Sequence, residues 1–140
     1  MSRYKSQVRE VINRNSLVSL ALANGYNAFL PVYDGGIDFI LYNETAGDTK
    51  LVQLKGRWTI DKKYIDRNVW IAFHDRGHWY VAPHDEMVRL AEGYGHLTTK
   101  SWEAGTYSKS PLSERDRLDL AAYRFEAVEE VAEEAAEGEQ

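Results

Sequence analysis

Apolar residues follow two rhythms along this chain, and the change between them marks its elements. From position 5 to 24 no Gly or Pro interrupts, and Val8, Val11, Ile12, Val18 and Leu22 recur at helical spacing until "NG" at 24–25, which suits a helix end. Short runs between turn residues follow. "YNAFLPV" (26–32), "IDFILYN" (37–43) and "KLVQLKGRW" (50–58) read as three strands separated by "YDGG" and "ETAGD". "TIDKKYIDRN" is polar and reads as a loop or short helical turn, while "VWIAFH", "DRG" and "HWYVAP" predict two strands and their tight turn. "HDEMVRLAEGYG" reads as a short helix capped by Asp85, and "HLTTKSWEAGTYSKSP" as irregular. From Ser113, a suitable N-cap, a last helix is expected to fray into the tail. The order predicts one mixed α/β (α+β) domain over 1–125, with a central sheet of about five strands flanked by helices.

Two charges interrupt this pattern. Asp38 opens the second strand and Lys55 lies within the third. Alternation puts Gln53 and Lys55 on one face, and Asp38 converges with them if the strands are neighbours. Carboxylate and amide oxygens are hard ligands that suit Mg²⁺, and a nearby ammonium can orient water or offset charge on a phosphoryl group. A turn-capping role for Asp38 and an edge-strand role for Lys55 are the plainer alternatives, and Asp34 is a second candidate acid. On the first helix, Asn15 falls near the centre of the apolar arc, with Glu10 on the opposite side. If that arc lies on the sheet, Asn15 reaches the polar cluster and Glu10 does not.

The helix, "NGYNAFLPVYDGGIDFILYN" and "KLVQLKGRW" together resemble the PD-(D/E)xK nuclease superfamily. The variant is the one with Gln-x-Lys, as in intron-encoded endonucleases and Holliday-junction-resolvase-like domains. The resemblance covers about residues 5–82 and implies a restriction-endonuclease-like core that hydrolyses DNA with Mg²⁺ or Mn²⁺. It implies that Asp38, Gln53 and the Leu54 carbonyl hold the metal and that Lys55 acts on the water and phosphate. Asn15 then stands where many members carry a helix glutamate. Neutral Gln53 implies a weaker metal site, so a catalytically silent binding module is the alternative reading. Members often pair to cut two strands, which makes a homodimer a natural expectation.

Composition changes this picture in three places. With no cysteine, disulfides, thiolate metal sites and a cysteine nucleophile are excluded. The formal charge of −5 is uneven: residues 126–140 hold seven of the 22 acidic residues and none of the 17 basic ones, so the first 125 carry +2. An acidic pI therefore says little against a polyanionic partner. Arg57, Lys62, Lys63 and Arg67 are interleaved with Trp58, Tyr64 and Trp70, a mixture that suits nucleic acid through phosphate neutralisation and base stacking. The plainer reading is a solvated loop whose aromatics complete the core. No Gly-rich phosphate loop or dinucleotide fingerprint is present, so no nucleotide cofactor is expected. No apolar stretch nears bilayer length and "MSRYKSQVRE" lacks a signal-peptide core, so a cytoplasmic protein without membrane contact is expected.

Overall fold

A computed structural model describes residues 3–126. The glutamate-rich tail beyond them, with the helix expected there, lies outside the described residues. Helix α1 (Arg3–Ala23) leads into strands β1 (Asn27–Phe29), β2 (Phe39–Asn43) and β3 (Asp48–Leu54). Next come β4 (Trp58–Asp61), a 3₁₀ turn at Lys62–Tyr64, and the hairpin β5 (Val69–Asp75) and β6 (His78–Pro83). Helices α2 (His84–Gly93) and α3 (Lys100–Glu103), strand β7 (Thr106–Lys109), helix α4 (Glu114–Asp119) and strand β8 (Arg124–Phe125) complete the order. The main sheet runs β1-β2-β3-β5-β6-β8, antiparallel except where β3 lies parallel to β5. This is a mixed central sheet flanked by helices.

The ends of α1 and the hairpin follow local chemistry. Asn24 closes α1 by donating from its side chain to the Leu20 carbonyl at 2.8 Å, and Gly25 takes φ +87° to turn the chain into β1. The β5–β6 turn places Arg76 and Gly77 both at positive φ, as a two-residue hairpin loop matched to strand twist requires. At α4, Ser113 and Asp116 form a reciprocal capping box.

Two apolar layers sandwich the sheet. Leu17 and Ala21 of α1 pack with Phe39, Leu41, Val52 and Val81 on one face. Trp58, Ile60, Ile71, Phe73, Tyr80 and Met87 fill the other. Each fully buried side chain of this size contributes about 1.5–3 kcal/mol.

Several expectations are corrected. "KLVQLKGRW" is not one strand: β3 ends at Leu54, and a bend at Gly56 starts β4, whose Trp58, Thr59 and Ile60 are all buried. Three consecutive buried residues need cover on both faces. The segment from His96 onward supplies it, since β7 pairs with β4 in a second two-stranded sheet and the stretch is not irregular. Asp85 does not cap α2. It lies in the first turn and accepts from the Asp66 backbone at 3.2 Å. The last helix stops at Asp119, and the chain adds β8 as a sixth strand of the main sheet.

The largest correction concerns α1. Its more apolar arc does not lie on the sheet: Val8, Val11, Ile12 and Leu22 are 40–58% exposed, while Leu17 and Ala21 are fully buried. The inward stripe is Glu10, Asn13, Arg14, Leu17 and Ala21, apolar only in its second half. Asn15 therefore points outward and is exposed, and it does not support the cluster at Asp38.

Candidate functional site

The β2–β3 ladder ends where Phe39 faces Val52. Asp38 precedes it and leaves the regular pairing: its N–H bonds the Val52 carbonyl at 2.9 Å, one residue off register, beside Gln53. Its carboxylate accepts the Leu54 N–H at 2.7 Å, which fixes one oxygen and leaves the other available. Past the end of β3, the Lys55 N–H still bonds the Ala72 carbonyl of β5 at 2.9 Å, so the parallel neighbour sets this residue's backbone. Gly56 then diverts the chain. The strand ends here because Trp58 is claimed by the second sheet, and that break brings Lys55 to the rim.

Asp38, Gln53, Leu54 and Lys55 line one cleft of about 600 Å³, and α1 forms its other wall with Arg9, Glu10, Asn13 and Arg14. Asp34 also lines it and extends into an adjoining cleft of about 480 Å³ bounded by Lys63, Tyr64 and Arg67. Asp34 is itself partly committed, because it accepts the Gly36 N–H at 3.0 Å in the turn.

Electrostatics follow from this packing. Burial pushes the Asp38 carboxyl above the usual carboxylate value; the Leu54 N–H and Lys55 pull it down, while Asp34 and Glu10 add repulsion. Burial lowers the Lys55 ammonium, and Lys63 lowers it further, against the attraction of Asp61 and Asp38. Its Nζ lies 5.4 Å from the centre of the Tyr64 ring. Tyr64 is itself pushed up to about 12, by burial first and then by Asp61 and the other nearby acids.

Gln53 supplies the most direct indication of a ligand. Its Oε1 is buried without a hydrogen-bond partner. An orphaned buried acceptor costs about 1–3 kcal/mol, and such atoms mark strain, a catalytic role or a missing water or ion. No group of three His, Cys, Asp or Glu among the described residues is arranged to hold a metal. Any cation in this cleft would rely on one committed carboxylate, an amide oxygen and backbone, a donor set of hard oxygens that fits Mg²⁺ or Mn²⁺.

Not all the candidate residues share this cleft. Arg57, Lys62, Lys63 and Arg67 are exposed, but Trp58 is 2% and Tyr64 4% exposed. Trp58 packs edge-on to Tyr107 and beneath Lys109, and Tyr64 packs edge-on to His84. Those two rings are core, with no free face for a base, so only the basic residues of that segment are left on the surface. Glu10 is the residue the sequence reading placed on the wrong side. Its signal was the stripe Glu10-Asn13-Arg14-Leu17-Ala21, weaker in hydrophobicity than the arc opposite.

This architecture is restriction-endonuclease-like. Among solved structures it is similar to the bacterial homing endonuclease I-Ssp6803I, with a TM-score of 0.50 and 18% identity over 96% of this chain and 98% of that one. No protein-family model matches the sequence, and a search of curated proteins found no similar one.

Proposed function

We propose that this chain is a divalent-metal-dependent nuclease that hydrolyses DNA phosphodiester bonds. The observation that carries the proposal is the unpartnered Gln53 Oε1, on a residue that lines one cleft with Asp38, Lys55 and Glu10. Likeness of fold to a homing endonuclease supports the same reading. Asp38, Gln53 and the Leu54 carbonyl would hold Mg²⁺ or Mn²⁺, with Glu10 rather than Asn15 supplying charge from α1. Bound there, the cation supplies a Lewis acid for the phosphate and a water of lowered pKa.

The chain's own groups define the rest. Lys55, half-buried and lowered by burial, donates to the attacking water or to a phosphoryl oxygen as negative charge builds there. Arg9 and Arg14 face the cleft from α1 and neutralise flanking phosphates, and Lys63 and Arg67 extend that path through the adjoining cleft. The Leu54 N–H keeps Asp38 in one rotamer.

Purified protein with Mg²⁺ or Mn²⁺ is expected to nick supercoiled plasmid DNA, and Asp38→Ala or Lys55→Ala to abolish nicking. Cleavage that survives both substitutions overturns the site. A second reading is favoured by neutral Gln53 and the absence of a three-acid cluster among the described residues: a nuclease fold that binds nucleic acid without cutting it. DNA binding with neither Mn²⁺ binding nor cleavage selects that reading.

A further inference from the structure

The cleft that adjoins the proposed cation site is lined by more than groups suited to phosphates. Its floor is apolar and belongs to the sheet: Leu51 of β3 and Val69 of β5 are register partners, and Ile37 adds to them. Val69 is buried and the other two are half-buried, whereas Lys63 and Arg67 in the same lining are exposed. The cations therefore stand at the mouth and the apolar groups at the bottom. Asp34 lines the cleft as well, with one oxygen accepting the Gly36 N–H, and its charge opposes a phosphate while favouring an amino group. Apolar floor, one acceptor and cations at the mouth suit a nucleobase, which has apolar faces and amino groups on its edges, with its phosphate left outside. The volume of about 480 Å³ falls within the roughly 300–1,000 Å³ of small-ligand pockets.

The loop between β1 and β2 walls this pocket with Tyr33, Asp34 and two glycines. It also carries Val32 and Tyr33, the two most exposed large hydrophobic side chains among the described residues, at 109% and 83%. A Cβ at Gly35 would stand 3.2 Å from the Tyr33 ring, so glycine there lets the ring lie close against its own loop at the pocket wall. Apolar side chains that project beside a basic cleft can enter a DNA stack as wedges and partly unstack a base step. Asp34 lines both the pocket and the cation cleft. Leu51 precedes Gln53 by two residues on one face of β3, about 7 Å away. The pocket therefore opens next to the position proposed for the cleaved phosphate.

We propose that Val32 and Tyr33 wedge into the stack of bound DNA and that the pocket receives the base of one displaced nucleotide beside the cleaved phosphate. The position relative to cleavage rests on the nuclease reading; the capture of a base does not. Asp34 accepts from the exocyclic amino group of that base, which favours cytosine, adenine or guanine over thymine. Lys63 and Arg67 hold the flanking phosphates at the mouth. Displacing a base is least costly where it is already unpaired. The favoured substrate is therefore duplex DNA that carries an unpaired or mismatched nucleotide.

The test uses the full chain and fluorescence anisotropy in EDTA, which separates binding from cleavage. A labelled duplex with one bulged cytosine is expected to bind about 10- to 100-fold more tightly than the same duplex fully paired. A bulged abasic residue, equally flexible but without a base, should lose about 10-fold or more of that gain. Tyr33→Ala and Val32→Ser, both at exposed positions, should together bring the ratio of bulged to paired affinity close to unity. Lys63→Ala should weaken both duplexes alike, and Leu118→Ala, at a 72% exposed position on α4, should change neither. Far-UV circular dichroism checks that every variant keeps its fold. Equal affinity for bulged and paired DNA overturns the proposal, as does an abasic bulge bound as tightly as the cytosine one. A preference that survives the double substitution overturns it too. Plasmid nicking with Mn²⁺ reports on the nuclease reading separately: nicking without a bulge preference defeats the pocket alone. A base-dependent preference without nicking defeats the nuclease reading and upholds the pocket, and no DNA binding at all defeats both.

Discussion

Replacing Gln53 by Glu tests the geometry of the cleft and its affinity for a cation in one variant. Position 53 lies beside Asp38 in the cleft, just past the end of the β2–β3 ladder. Facing or diagonal side chains across a strand pair keep their Cβ atoms within about 4.5–8 Å. Two carboxylates roughly 5 Å apart at an effective dielectric near 20 repel by about 3 kcal/mol. For a chain of this size that lowers Tm by roughly 10 °C in EDTA. Asp38 already sits above the ordinary carboxylate range, and a second charge raises it further. The folded pair then holds a proton more tightly than the unfolded chain does, so the penalty is full at high pH. It disappears as pH falls below the unfolded carboxylate value. Mn²⁺ at about 100 times its Kd restores roughly 2.7 kcal/mol, while the wild-type chain gains less from the same addition. Thermal melts of both proteins, with EDTA and with Mn²⁺ at two pH values, read every part of this. A Gln53→Glu variant as stable as wild type in EDTA refutes the proximity of the two side chains. One that is destabilised but not rescued by metal refutes the cation site.

Two further outcomes are expected. Asp116→Ala removes the partner of Lys109 (2.7 Å, both side chains largely buried) and half of the α4 capping box, so it should cost about 3–5 kcal/mol in urea melts near pH 7. The wild-type Asp116 carboxyl is held low against the opposing effect of burial by Lys109 and Ser113, so the gap to the variant is full above the unfolded carboxylate value. It should close as pH falls through the lower folded value; a gap unchanged at about pH 2 would contradict the assignment. If the proposed DNA path is right, Lys63→Ala and Arg67→Ala should each flatten the salt dependence of DNA binding by about 0.9 in slope. Trp58→Ala should instead cost about 3–5 kcal/mol of stability and leave the affinity of the folded fraction unchanged, as expected of a core ring.

The succession of α1, β1, β2 and β3 and the β5–β6 hairpin was legible because period-two alternation and turn residues carry that information locally, and it is this succession that brings Asp38, Gln53 and Lys55 to one cleft. What the sequence concealed had a common cause. At α1, hydrophobicity was read as inwardness, although the helix faces the sheet with its less apolar side and keeps the more apolar one outside. No single-chain pattern distinguishes a face buried in the fold from one left exposed. At Trp58 and Tyr64, basic neighbours suggested an exposed aromatic patch. Trp58 is covered by β7, which lies more than 40 residues later and pairs with β4, and Tyr64 packs on His84 at the start of α2. Long-range pairings of this kind leave little trace in local composition.

The amide at position 53 is then understandable as a balance of two costs. Glu10, Asp34 and Asp38 line one cleft, and Asp38 is already pushed toward its neutral form by burial and by both other acids. A glutamate at 53 would add about 3 kcal/mol of repulsion whenever no cation is bound. Glutamine leaves a single buried oxygen unpaired, a cost of about 1–3 kcal/mol that a bound cation removes. Coordination through that neutral oxygen is weaker than through a carboxylate. On the proposed reading the chain keeps a stable fold without metal at the expense of affinity, which makes millimolar Mn²⁺ the condition under which cleavage by the wild-type protein should first be seen.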